Sequence, residues 1–159
     1  MRLAKIAVMV LMVSVFQFPF AVRAQTAPST ATAPVIPEAE VRQFIEQYID
    51  RFKGMDLDAL MALFSKEAVE NRKWGYSDMR EAYRKTFDTT KEFSYNLKIQ
   101  TIQTYTRSAL VTGRYEIIQT LKEVKDGSIT KIYRGNIQWD LIRDDGILKV
   151  LRVNYGTGL

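Results

Sequence analysis

Gln47–Asn71 reads QYIDRFKGMDLDALMALFSKEAVEN. It holds two amphipathic stretches on either side of a break. Followed back to Val41, the first stretch places Val41, Phe44, Ile45, Tyr48, Ile49 and Phe52 at helical spacing. Such spacing makes one apolar stripe on a helix. Pro37 stands before that helix and Gly54 after it, the usual punctuation of a start and a stop. Asp56 is placed to cap a second helix, with Leu57, Leu60, Met61 and Phe64 on one face. Beyond it, AVENRKWGY (68–76) is short enough for one small strand and a loop. Ser77 then caps a third helix with Met79, Ala82, Tyr83, Thr86 and Phe87 inward.

From Phe93 the period changes to two. Phe93, Tyr95, Leu97 and Ile99 mark one strand, and Ala109, Val111, Gly113, Tyr115 and Ile117 the next. Lys125-Asp126-Gly127-Ser128 is a turn. Tyr133, Gly135, Ile137, Trp139 and Leu141 mark the third long strand. Asp144-Asp145-Gly146 is a tight hairpin leading into a last strand, Ile147–Tyr155. Apolar residues change phase within that strand: Leu151, Val153 and Tyr155 share one face, Leu148 and Val150 the other. A bulge near Lys149–Leu151 would reconcile them. Helices followed by an antiparallel meander make an α+β domain, expected over residues 38–159. Leu110, Ile118, Ile132 and Ile142 fall on the outer sheet face. They predict a homodimer packed through it.

This order resembles the nuclear transport factor 2-like superfamily, which includes ketosteroid isomerases and SnoaL-like cyclases. Gln47–Asn71 is similar to its pattern of an aromatic helix, a break, then D-L-D-x-L-x-x-L-F-x-x-x-A. Trp139–Val150 (WDLIRDDGILKV) is similar to its late hairpin. The resemblance covers residues 38–159. It implies a cone in which the sheet curls around three helices and leaves an apolar pocket at the wide end. Gly113 and Gly135, mid-strand on the inward face, suit that curvature. Tyr48, Asn71, Trp74, Tyr83, Tyr115, Tyr133 and Trp139 are the expected lining.

The resemblance also allows a test for catalysis. It places Tyr48 on the oxyanion tyrosine of ketosteroid isomerases. The base position falls on Arg72, or on Asn71 one residue earlier. Neither side chain can take a proton from carbon. The third position falls near Asp140, which the strand alternation puts on the outer face. Glu70, Glu116 and Asp140 are the other acids that burial could turn into a base. No catalytic residue is assigned, and the discriminating feature is whether a carboxylate faces the interior.

Composition narrows the chemistry further. The 159 residues contain no Cys and no His, which excludes disulfides, thiol and histidine catalysis and nearly all zinc sites. No metal or cofactor is expected. Residues 1–24 (MRLAKIAVMVLMVSVFQFPFAVRA) have a cationic start, an apolar run and small residues at Val22 and Ala24. They read as a signal peptide cleaved before Gln25, with export to the periplasm or beyond and no stable membrane anchor afterwards. Residues 25–37, rich in Ala, Thr and Pro, read as a disordered tether. Loss of Arg2, Lys5 and Arg23 lowers the formal charge from +5 to +2, so the basic balance implies no anionic partner. Arg72, Lys73, Arg80, Arg84, Lys85 and Lys91 gather near the third helix as a solvated face. Nucleic acid is not an expected partner. The sequence predicts an exported binding or assembly module whose pocket takes an apolar small molecule or a partner segment. The alternative is an isomerase, hydrolase or cyclase using Tyr48 and an acid of the pocket.

Overall fold

The computed structural model describes residues 35–122, 127 and 129–156. The expected signal peptide, nearly all of the expected tether, most of the Lys125–Ser128 turn and the last three residues lie outside them. Helix α1 (Glu38–Lys53) forms where the apolar stripe predicts, burying Val41, Phe44, Ile45, Tyr48 and Phe52. Glu38 and Glu40 in its first turn and Arg51 and Lys53 in its last oppose the helix dipole. The core starts earlier than expected. Ile36, assigned to the tether, is only 1% exposed and its N–H donates to the Tyr105 carbonyl.

Helix α2 (Leu57–Met61) is capped by Asp56, whose carboxylate accepts the Ala59 N–H at 3.0 Å. It is shorter than expected. Phe64 does not extend its apolar face but opens strand β1 (Phe64–Glu70), opposite Val150. Strand β2 (Trp74–Gly75) turns back antiparallel on β1. The hairpin between them needs positive φ at Asn71 (49°) and Arg72 (58°), closed by Lys73 N–H to the Glu70 carbonyl. That is the geometry of a type I′ turn. Helix α3 (Tyr76–Thr89) buries Met79, Tyr83 and Phe87, while Ala82 is exposed. Its N-cap is Gly75 rather than Ser77, because the Asp78 carboxylate reaches back to accept the Gly75 N–H at 3.2 Å.

Strands β3 (Thr90–Thr104), β4 (Ser108–Leu121), β5 (Thr130–Asp144) and β6 (Ile147–Gly156) form the meander. The six strands run in the order β2-β1-β6-β5-β4-β3. The sheet is mixed, because β1 lies parallel to β6. It curls around the helices as the cone-shaped α+β fold does. Asp145 and Gly146 take positive φ in the predicted hairpin. The phase change in β6 has the predicted cause: Asp140 pairs with Arg152 and Leu141 with Val150, leaving Leu151 as the extra residue. Leu148, Val150 and Val153 are therefore all buried.

Gly135 is a point of close approach. A Cβ there would strike the Gly156 carbonyl oxygen, so the end of β6 requires glycine opposite it. The outer face is mainly polar. Arg134 pairs there with Glu116, and Arg152 with Asp140 at 2.8 Å. Ile118 sits opposite Ile132, while Leu110 faces Asp140 and Ile142 faces Ser108. The four aliphatics are thus split between two ends of the face.

Candidate functional site

At the centre of the cone four phenols converge from four elements. Tyr48 comes from α1, Tyr83 from α3, Tyr95 from β3 and Tyr155 from β6. Tyr48 Oη and Tyr155 Oη share a hydrogen bond of 2.9 Å. Tyr83 Oη donates to Glu70 Oε2 at 3.0 Å. Charge on any one of these groups would oppose charge on its neighbours. Trp139 lies edge-on to Tyr48, with ring centroids 5.7 Å apart. Tyr115 stands edge-on to Tyr155 at 5.6 Å. It is half-buried, which puts it on the solvent side of the cluster.

Burial sets the protonation of the cluster. It pushes the Tyr48 phenol up to about 12, outweighing its hydrogen bond to Tyr155. Burial likewise raises Tyr83, Tyr95 and Tyr155 well above the ordinary phenol value. All four remain neutral at physiological pH, as hydroxyls able to donate. Burial raises Glu70 as well, and the Tyr83 hydrogen bond opposes this only in part. Two buried donors, Tyr95 Oη and Trp139 Nε1, have no hydrogen-bond partner among the described residues. Buried polar groups of native proteins are normally paired, which sets these two donors apart from the rest of the core.

Of the seven expected lining residues, Tyr48, Tyr83, Tyr115 and Trp139 meet here. Asn71 does not line the interior. It is exposed on the β1–β2 turn, where its Oδ1 accepts the Tyr155 N–H at 2.7 Å and its own N–H donates to the Val153 carbonyl. It holds β6, and with it Tyr155, in place. Trp74 is 45% exposed, because a two-residue edge strand has nothing to cover it; Lys73 lies over its ring. Tyr133 faces inward by register, opposite Ile117, but lies toward the open end of β5 and is 44% exposed.

The three candidate acids separate cleanly. Glu116 and Asp140 sit on the outer face in ion pairs, and Glu70 alone turns inward to a phenol. Tyr95 and Tyr155 are additions to the expected site. Tyr95 carried a strand signal with no distinct polar one, and Tyr155 was obscured by the bulge at Leu151. The basic residues near α3 are largely neutralised. Arg80 pairs with Asp58, and Arg84 with both Glu81 and Asp88. Among the described residues, no three Asp or Glu side chains gather as a metal site would need.

A separate cavity of about 550 Å³ opens between α3 and the sheet, lined by Phe52, Phe93, Ile117, Tyr133 and the polar ends of α3 and β5. Phe52 packs on Tyr48, Tyr83 and Tyr95, so it stands between this cavity and the phenol cluster.

The pattern described as "SnoaL-like domain" matches residues 41–132, more than half of the chain. No curated protein is matched by the sequence. Solved structures share the fold. A nuclear transport factor 2-like superfamily protein from Salmonella enterica serovar Typhimurium is 18% identical with a TM-score of 0.65, over 76% of this chain and 90% of that one. A ketosteroid isomerase-like protein from Erwinia carotovora atroseptica is 19% identical with a TM-score of 0.61, over 74% and 92%. A candidate scytalone dehydratase from Novosphingobium aromaticivorans is 15% identical with a TM-score of 0.63, over 76% and 83%. The matched pattern and the cone agree: this chain belongs to the SnoaL-like domain family of the nuclear transport factor 2-like superfamily.

Proposed function

We propose that this protein is an exported binding module that receives a small, acceptor-bearing apolar molecule at the phenol cluster. The observation that carries this reading is the pair of buried donors without partners, Tyr95 Oη and Trp139 Nε1, beside the Tyr48–Tyr155 hydrogen bond. An aromatic wall with a few convergent neutral donors suits a carbonyl or ether oxygen on an otherwise apolar body. Export is supported by the cationic start, apolar run and small residues of positions 1–24. Pairing of two copies through the outer sheet face is part of the same reading, supported by the Ile118–Ile132 cross-strand pair and the half-buried Leu110 and Ile142.

Native mass spectrometry of the isolated protein tests the binding reading. A discrete adduct above the polypeptide mass is expected, lost in a Tyr48→Phe/Tyr155→Phe variant that keeps its fold. A bare polypeptide, or an adduct equally retained by the variant, contradicts it.

One observation favours a second reading, acid–base catalysis. Glu70 is a half-buried carboxyl whose pKa burial raises, beside a chain of phenols, a combination that suits acid–base work. The names of the fold's neighbours, a candidate dehydratase and an isomerase-like protein, allow that chemistry in the fold without assigning it here. Binding is placed first because the phenols that surround Glu70 are held neutral and offer donors rather than a second proton acceptor.

A further inference from the structure

The cavity between α3 and the sheet is built differently from the phenol cluster. Its apolar floor is Phe52, Phe93 and Ile117, all buried side chains. Its wall is Tyr133, whose exposure conceals a fixed orientation. Tyr133 Oη donates to Gln119 Oε1 at 3.1 Å. Gln119 Nε2 donates to Thr90 Oγ1 at 2.6 Å, and Thr90 Oγ1 donates to the Thr86 carbonyl at 2.6 Å. This chain of three bonds joins β5, β4 and the end of α3. It ties the Tyr133 hydroxyl to the protein while nearly half of the side chain stays open to solvent. An exposed aromatic residue held in one rotamer loses little entropy when a planar ligand lies against it.

Among the described residues that line the cavity, the charged ones are Lys85 and Lys131, with no carboxylate. Lys85 Nζ lies 3.4 Å from Glu81, but the Glu81 carboxylate is already engaged by two bonds from Arg84, at 2.8 and 2.9 Å. The Lys85–Glu81 pair is exposed at both ends, so an incoming anion displaces it at little cost. Two ammoniums over an aromatic floor are complementary to one negative charge on a flat apolar body. A volume of about 550 Å³ suits a molecule of two or three rings.

We propose that this cavity is a second binding site, which takes an aromatic carboxylate with its rings between Tyr133 and the Phe93–Ile117 floor and its carboxylate between Lys85 and Lys131. The site is independent of the phenol cluster, from which Phe52 separates it.

Calorimetric titration of the full chain with 2-naphthoate and with its neutral counterpart 2-naphthalenemethanol tests the assignment. The carboxylate is expected to bind about tenfold more tightly at low salt, and the advantage to shrink as salt screens the lysines. In a Lys85→Gln/Lys131→Gln variant the two probes should bind alike. Tyr133→Ala should weaken both. Tyr48→Phe should change neither, which separates this site from the interior one. Circular dichroism identical to the parent shows that each variant is folded, and substitution of two exposed lysines leaves the core untouched. Equal affinity for acid and alcohol, binding of neither, indifference to the lysine and Tyr133 variants, or dependence on Tyr48 would each overturn the proposal.

Discussion

Glu70 ends β1 with its carboxylate turned toward a phenol instead of a cation, and its protonation is thereby linked to folding. Its folded pKa lies above the ordinary carboxylate value. Above that ordinary value the native state holds the proton more tightly than the unfolded chain. Stability is therefore fullest below it and falls as pH rises through the folded pKa. Glu70→Gln keeps an acceptor for Tyr83 and removes the titration. Urea unfolding followed against pH should show the decline in the parent and not in the variant, which becomes the more stable of the two at neutral pH. A parallel decline in both would show that Glu70 is not the linked group. Tyr48 sits at 0% exposure with its hydroxyl paired to Tyr155. Tyr48→Phe should cost about 1–2 kcal/mol, because it also strips the Tyr155 hydroxyl of its partner. In a double variant with Tyr155→Phe the two losses should not add, since one bond is removed only once. Of these residues, Tyr48 was legible from its place on the α1 stripe, and the unfitness of Asn71 and Arg72 as bases from their chemistry. That Glu70 faces inward was not legible, because a carboxylate near a strand end carries no sign of which way the strand turns.

At the scale of elements, the long periodic stretches declared themselves and the short ones did not. Helix α1 and strands β3 to β5 each repeat their period over enough residues to fix both type and inward face. Strands β1 and β2 have seven and two residues, too few for a period to emerge. Phe64 was consequently read as the last residue of a helix face. The parallel pairing of β1 with β6 joins residues some eighty positions apart and leaves no local trace. The Leu151 bulge is the instructive exception: a conflict of phase within one strand predicted an extra residue, and the register confirms one. Gly135 shows a constraint of the same long range. Gly135→Ala would press a methyl group against the Gly156 carbonyl and should cost about 1–3 kcal/mol in thermal unfolding. The same change at the exposed Gly146 hairpin is no equivalent control, because φ of 79° there strains any side chain. An unchanged melting temperature for Gly135→Ala would mean that the end of β6 does not approach β5 as described.

At the scale of the molecule, the two faces of the sheet have different tasks. The inner face is almost wholly aromatic and aliphatic and closes over the phenols. The outer face carries ion pairs, amides and two separated aliphatic groups. That split replaces the continuous apolar patch expected from alternation alone, because Thr112, Gln138 and Asn154 occupy the middle of the face in one row. A dimer through this face would bury amides between its two apolar ends, so it should be weak. Light scattering across a concentration series should show mass rising from one chain toward two, and a constant single-chain mass at high micromolar concentration would remove the dimer. Absence of Cys and His leaves carboxylates and phenols as the main candidates for chemistry, and in the folded chain Glu70 alone of the three candidate acids meets the phenols. Raised pKa values keep the phenols protonated, so the centre donates hydrogen bonds more readily than it abstracts protons.

The chain has only two tryptophans, Trp74 on the surface and Trp139 in the core, so its indole N–H resonances read the central claim with almost no overlap. The spectrum is recorded on the protein as isolated and again after unfolding, removal of small molecules and refolding. A ligand accepted at the phenol cluster predicts that the Trp139 resonance shifts between the two samples, that Trp74 does not, and that adding back the removed fraction restores the first spectrum. A Trp139 resonance identical before and after stripping would contradict the account.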